Sequence, residues 1–339
     1  MSRAELFEIV ASTGIRTFSE LIAQYGTGRG CDICKPVVAS ILASLDPAGH
    51  VLGSAQIFFE REGRSLLYTG DFKRRTSRTS VPAAFPRAEI LATETTFGLP
   101  VFRFPKPEVL EDRLVAACRR AFEEGKTPIL LAYAFGKAQE VALALTAAGI
   151  PTVLHGAAWK LVPEYEAAGH AFPMSRAYET GPAQPGEALV VPPYCARTPV
   201  VRNVKRRRIV YLSGWATREA SRADFDADVL IPWSDHADFP ELLQHVSDVA
   251  PLRVVTLHGY SRDFARILTT RGVAAEPLPS ARERKRGGTS SFTGTASRLR
   301  SNAARSASRS RTRATAGGPT TTSPSRSGGR RRSRSRTWS

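Results

Sequence analysis

Between residues 99 and 257 the chain switches repeatedly between helical and strand periodicity, and this alternation limits the folds open to it. The helical run Glu108–Glu124 precedes the apolar run Thr127–Tyr133, and Lys137–Ala148 precedes Thr152–Leu154. Short apolar runs follow at Ala188–Val191, Arg208–Leu212 and Val229–Ile231. A helix at Pro240–Val249, a strand at Arg253–Leu257 and a helix at Arg262–Thr270, stopped by Gly272, continue the pattern. Strands that alternate with helices predict an α/β fold with parallel strands. Upstream, Val51–Glu60 and Ser65–Tyr68 flank Arg61-Glu62-Gly63-Arg64 as a hairpin, and Ile90–Thr93 reads as a short strand.

The net charge of +17 suggests a polyanionic partner until its location is considered. Residues 281–339 hold 16 of the 48 Lys/Arg and one of the 31 Asp/Glu, so the first 280 residues are close to neutral. That terminal stretch is Arg, Ser, Thr, Gly and Ala with almost no Leu, Ile or Val, and is expected to be a disordered basic tail. Such a tail can serve as a nonspecific, salt-sensitive arm for nucleic acid. Four cysteines, of which only Cys31 and Cys34 are close, do not make a disulfide framework. There is no secretory signal and no run long enough to span a bilayer, so the expected compartment is cytoplasmic.

Histidines and acids stand at the ends of apolar runs: His50 after Pro47-Ala48-Gly49, Asp71 in Tyr68-Thr69-Gly70-Asp71, His236 in Ser234-Asp235-His236-Ala237-Asp238, and His258 in Leu257-His258-Gly259. This pattern suggests a site assembled from strand-end loops, suited to metal-assisted hydrolysis, because imidazole and carboxylate are the donors zinc takes. Gly136 before Lys137 opens a helix with free N–H groups and a cation, which reads equally as a phosphate seat or as a simple strand-to-helix turn. Ser54 reads as a residue that shapes the loop beside His50, His170 and His245 as surface or structural, and His155 as structural.

Taken in order, these segments resemble the metallo-β-lactamase-fold nucleases of the β-CASP group, together with Thr93-Glu94-Thr95-Thr96-Phe97-Gly98, Ala134-Phe135-Gly136-Lys137-Ala138-Gln139-Glu140 and Ser213-Gly214-Trp215. The resemblance runs from Pro47 to about Pro279, and within the group is closest to RNA 3′-end-processing and ligase-associated exonucleases. It implies two zinc ions, with His50 on one, His258 on the other and Asp71 bridging. It implies Glu94 and His236 as the acid/base pair, and RNA or single-stranded DNA as substrate, with a link to an ATP-dependent DNA ligase. The family also brings a His-x-His-x-Asp-His motif upstream, whereas this chain has no histidine before His50.

The first 45 residues read as short helices around a glycine-rich turn. Gly30-Cys31-Asp32-Ile33-Cys34-Lys35-Pro36 and the helical run Val37–Leu45 are similar to part of the assimilatory nitrite reductase large subunit. Cys31 and Cys34 would be half of a metal or iron–sulfur site, since a cluster needs four thiolates. The expected organisation is therefore this segment at 1–45, a metallo-β-lactamase core at 46–98 lacking its N-terminal half, a β-CASP insertion at 99–230, the rest of the core at 231–280 and the tail at 281–339. A partial αββα sandwich with an inserted α/β domain follows. Three functions stay open: an exonuclease-like protein impaired by the missing motif, a redox fragment, and a noncatalytic nucleic-acid binder. Self-association is left open, and no membrane partner is expected.

Overall fold

The computed structural model describes residues 13, 18–25, 49–80, 83 and 85–279. The calls on Cys31 and Cys34, on most of the 1–45 helices and on the basic tail lie outside these residues. The first described helix, α1, is Phe18–Tyr25. Strands β1 (Ile57–Arg61) and β2 (Arg64–Tyr68) form the expected hairpin. Its two turn residues, Glu62 and Gly63, both have positive φ (53° and 73°), the backbone of the type I′ turn whose twist matches paired strands.

Strand β3 (Ile90–Glu94) lies parallel to β2. Helix α2 (Pro107–Glu123), with proline in its first turn, leads into β4 (Thr127–Leu131), and α3 (Lys137–Ala147) into β5 (Thr152–Leu154). Next come β6 (Ser175–Ala177), β7 (Ala188–Val191), β8 (Arg207–Leu212) and β9 (Val229–Ile231). Helix α4 (Phe239–Val249), β10 (Arg253–Leu257), α5 (Ser261–Thr270) and β11 (Ala275–Pro277) close the described chain.

Two sheets result. One has the order β1-β2-β3-β10-β11, the other β6-β5-β7-β4-β8-β9, and every described ladder except the hairpin is parallel. The six-stranded sheet is covered on both faces, which is why its strands read as unbroken apolar runs rather than alternating ones. On one face Leu130, Val190 and Val210 pack with Leu114 of α2 and Val141 of α3. On the other, Ile129, Leu189 and Tyr211 pack with Val201 and Ala216. Each such fully buried Leu or Val contributes about 1.5–3 kcal/mol.

The five-stranded sheet rests Leu67, Leu91 and Val254 on Leu242 and Val246 of α4 and Phe264 and Leu268 of α5. Its opposite face, with Ile57, Leu66, Tyr68, Ile90 and Val255, is only half-buried. Of the expected two-sheet sandwich, the described residues supply this one sheet. Strands β6 and β11 escape the sequence reading because Ser175-Arg176-Ala177 and Ala275-Glu276-Pro277 form no apolar run, unlike the equally short β5 and β9.

His245 is fully buried in α4, so the surface alternative given for it is corrected. Its ring lies 4.6 Å from Phe72 and 4.3 Å from Phe85, and neither nitrogen has a hydrogen-bond partner. Burial, helped by the Arg74 charge, pushes its pKa down to about 3 from 6.5. Protonation then occurs in the unfolded chain first. The stability tied to this group is complete above the unfolded value of 6.5 and is lost as pH falls toward 3. Urea denaturation of His245→Phe should therefore lose less stability than the parent between about pH 7 and about pH 4. Equal acid sensitivity of the two proteins would show that the buried imidazole is not the cause.

Candidate functional site

Loops that leave the carboxyl ends of parallel strands in both sheets converge on one cleft, the usual place for a site at such strand ends. The cleft is a cavity of about 430 Å³. Its walls include His50, Phe97, Tyr133, Tyr194, Trp215 and His236.

Glu94 ends β3 and is 1% exposed. Its carboxylate accepts from the Phe72 N–H (3.2 Å), the Thr96 N–H (3.0 Å) and His236 Nδ1 (3.0 Å). Burial alone would raise its pKa, but the His236 charge and these donors lower it overall. Burial likewise lowers His236, and the Glu94 charge and hydrogen bond outweigh it, leaving His236 above its ordinary value. Both directions favour an imidazolium paired with a carboxylate. The bond at Nδ1 leaves Nε2 as the remaining functional nitrogen of a ring that lines the cleft.

His50 stands 4.5 Å from His236, ring centroid to centroid. Its Nδ1–H donates to the Asp235 carbonyl (3.0 Å), which leaves Nε2 free to accept a proton or a metal. Its pKa is lowered, by burial first and then by His236. The loop after it is closed by Ser54, whose Oγ accepts from the Val51 N–H (3.1 Å) and whose own N–H donates to the Val51 carbonyl (3.0 Å), the loop-shaping part expected of it. Ligand atoms of His50, Asp71 and His236 lie within 4.8 Å of one another, forming a group of two imidazoles and one carboxylate. That donor set suits zinc and other divalent first-row ions.

His258 is not in this group, and its side chain is exposed. Its backbone nonetheless has φ 55°, a left-handed conformation that costs a non-glycine residue energy. Gly259 follows at φ 48°, where a Cβ would stand 2.5 Å from both the Thr95 carbonyl oxygen and Thr96 Cα. Thr95 Oγ1 shares its proton between the carbonyls of Leu257 (2.9 Å) and His258 (2.7 Å), and its own carbonyl accepts from the Tyr260 N–H (3.0 Å). The loops after β3 and β10 are thus tied together.

Gly136 and Lys137, read equally as a phosphate seat or as a strand-to-helix turn, stand where β4 leads into α3. Lys137 is fully buried; its Nζ donates to the Trp233 carbonyl (2.7 Å) and pairs with Asp235 Oδ1 (2.9 Å). Gly136 is required by close approach, since at φ 83° a Cβ would meet Val51 Cγ1 at 2.2 Å. Lys73, also buried, pairs with Glu140 (3.2 Å) and lies 3.8 Å from Asp235. Burial lowers the Lys137 pKa despite its acidic neighbours, whereas Asp235, though burial would raise it, is held below the ordinary carboxylate range by Lys137 and Lys73. Arg75 braces the same loop from its other side: it donates to the His236 carbonyl (2.6 Å) and pairs with Glu241. Asp235 and Glu140 stand inside the motifs quoted for the resemblance, and Lys73 and Arg75 just beyond one. Sequence reasoning gave them no role, because nothing local shows that they meet.

His155 accepts from the Ala157 N–H (3.2 Å) and lies 3.8 Å from Cys195 Sγ, a structural arrangement. Among the described residues no helix is long and apolar enough to cross a membrane.

No protein-family model matches the chain. A probable DNA ligase from Opitutus terrae is 37% identical over 242 residues, covering 71% of this chain and 24% of that protein. An RNase J-like protein from Methanocaldococcus jannaschii is 39% identical over 98 residues, 28% of this chain and 23% of the relative. Cleavage and polyadenylation specificity factor 73 of Drosophila melanogaster is 36% identical over 100 residues, 29% of this chain and 14% of the relative. The chain therefore spans about a quarter or less of the length of these relatives. Separately, 43 residues are 58% identical to the nitrite reductase large subunit of Klebsiella oxytoca, 13% of this chain and 4% of that protein.

The Glu94–His236 bond has a direct spectroscopic consequence. In the metal-free protein, NMR titration should place the His236 midpoint above 6.5, and in Glu94→Gln lower than in the parent, because the largest contribution opposing burial is then gone. A midpoint that does not move would mean that Glu94 does not hold the proton on His236.

Proposed function

The chain belongs to the metallo-β-lactamase-fold β-CASP nuclease family, and from that premise we propose that its cleft hydrolyses phosphodiester bonds of RNA or single-stranded DNA weakly, with the help of a divalent metal. The observation that carries this reading is the Glu94–His236 pair (3.0 Å) standing beside His50 and Asp71 in one cleft. His50 and Asp71 would hold the ion, zinc by the chemistry of its donors. When bound, such an ion supplies Lewis acidity toward a phosphodiester and a water.

The chain's own residues do the rest. Asp235 fixes the His50 ring through Nδ1, so that Nε2 is the donor atom. Glu94 keeps His236 protonated, and His236 Nε2 gives that proton to the departing oxygen, a contribution of about 10²–10⁴ in rate. Weakness follows from the donor count. A catalytic zinc normally has three protein ligands, and with His236 acting as the acid only His50 and Asp71 remain in the group. The relatives named as a probable DNA ligase and as an RNase J-like protein favour two substrate settings, DNA and RNA.

A second reading is favoured by the 4.8 Å grouping itself. In it His236 becomes the third metal donor and Glu94 its orienting carboxylate, which strengthens metal binding and removes the acid. Zinc calorimetry and turnover of a labelled single strand with His236→Ala separate the two. The proposal expects turnover to fall by about 10²-fold or more while zinc affinity changes by less than about tenfold. A loss of zinc affinity of about 10–100-fold or more selects the three-donor reading. Turnover that survives the substitution, or none at saturating zinc in the parent protein, removes the proposed role.

A further inference from the structure

Three of the nine large hydrophobic side chains exposed among the described residues line the single cleft that also holds His50 and His236. They are Tyr133 (50% exposed), Phe135 (48%) and Tyr194 (70%), and the half-buried Trp215 joins them on the same wall. Scattered exposed apolar residues are ordinary; a cluster around a polar cavity marks a binding surface.

The topology explains how the cluster forms. Strands β7, β4 and β8 are consecutive neighbours in the sheet and run parallel, so their carboxyl-end loops emerge side by side about 4.8 Å apart. Tyr194 follows β7, Tyr133 and Phe135 follow β4, and Trp215 follows β8. Two of the rings are held from behind. Trp215 packs against Phe97 (4.8 Å between centroids) and edge-on to Phe102 (5.6 Å), and Phe135 meets Tyr165 edge-on (6.4 Å). Their order is set before any ligand arrives, which lowers the entropy cost of binding.

Resting on the nuclease reading above, we propose that Tyr133, Phe135, Tyr194 and Trp215 form a stacking platform for unpaired nucleobases, which seats a single strand so that its phosphate meets His50 and His236. The π-faces accept any base, so the platform selects unpaired over paired strands rather than one sequence over another. Base pairs inside a duplex are already stacked and cannot reach it.

The test is binding, by fluorescence anisotropy, of a labelled strand of about eight nucleotides, in ribo and deoxy forms, each with and without an abasic site at one position. The full chain is used, with chelator present and at about 0.2 M salt to weaken contacts from the basic tail. Chelation prevents hydrolysis, so failure of stacking and failure of the nuclease reading are separate results. Tyr194→Ala should bind the intact strand about tenfold more weakly than the parent, Tyr194→Trp should bind it like the parent, and one abasic position should cost the parent about tenfold but Tyr194→Ala little. Phe135→Ala provides a second variant with the same expectation. A loss in only one of the two strand types still supports the platform and identifies the preferred sugar. If Tyr194→Ala and Phe135→Ala both bind within about twofold of the parent, or if intact and abasic strands bind the parent equally, the platform is rejected.

Discussion

Four buried charged side chains, Lys73, Glu140, Lys137 and Asp235, meet behind the cleft, where they hold the loop that carries His236. They come from three places in the fold: the loop after β2, the first turn of α3, and the loop that joins the two sheets after β9. Their formal charges sum to zero. A buried set of this kind contributes little net stability compared with apolar residues of the same size, yet removing one member costs about 3–5 kcal/mol because its partner is left unpaired. Its effect is to permit one arrangement of the 233–236 loop. That loop carries His236 on the cleft side, offers the Asp235 carbonyl to His50, and offers the Trp233 carbonyl to Lys137.

From this clamp the chemistry of the site follows in sequence. The loop fixes where His236 stands, and Glu94, held by two backbone N–H groups, fixes which nitrogen of His236 is engaged and raises the pKa of the ring. The same loop fixes the tautomer of His50. His258 stands outside the described donor group, although its positive φ and the Thr95 bonds hold its backbone firmly.

Much of the fold was legible because the central strands of the six-stranded sheet are apolar runs and the hairpin has a two-residue turn. Ile129-Leu130-Leu131 and Leu189-Val190-Val191 are buried on both faces, which leaves the sequence little freedom to be anything else. The Glu94–His236 partnership, spanning 142 positions, came from the ordered motifs of the resemblance rather than from local physics. Lys137 shows the limit of local reading. A glycine and lysine at a helix start look the same in sequence whether the ammonium points to solvent or into a carboxylate 98 residues away, and only packing decides. Gly136 is similar, since its need for space comes from Val51, a residue of a distant loop. The aromatic wall was not legible either, because Tyr133, Tyr194 and Trp215 become neighbours only through the order in which β7, β4 and β8 pair.

The central claim is that the buried charges hold the metal donors in register. Zinc affinity of Lys137→Met, measured by calorimetry alongside circular dichroism to verify that the fold persists, tests it most directly. Methionine keeps the volume of lysine and removes the charge that holds Asp235. The account predicts a folded protein that binds zinc about 10–100-fold more weakly than the parent, the usual cost of losing a group that orients a ligand. A folded Lys137→Met with the zinc affinity of the parent would contradict it.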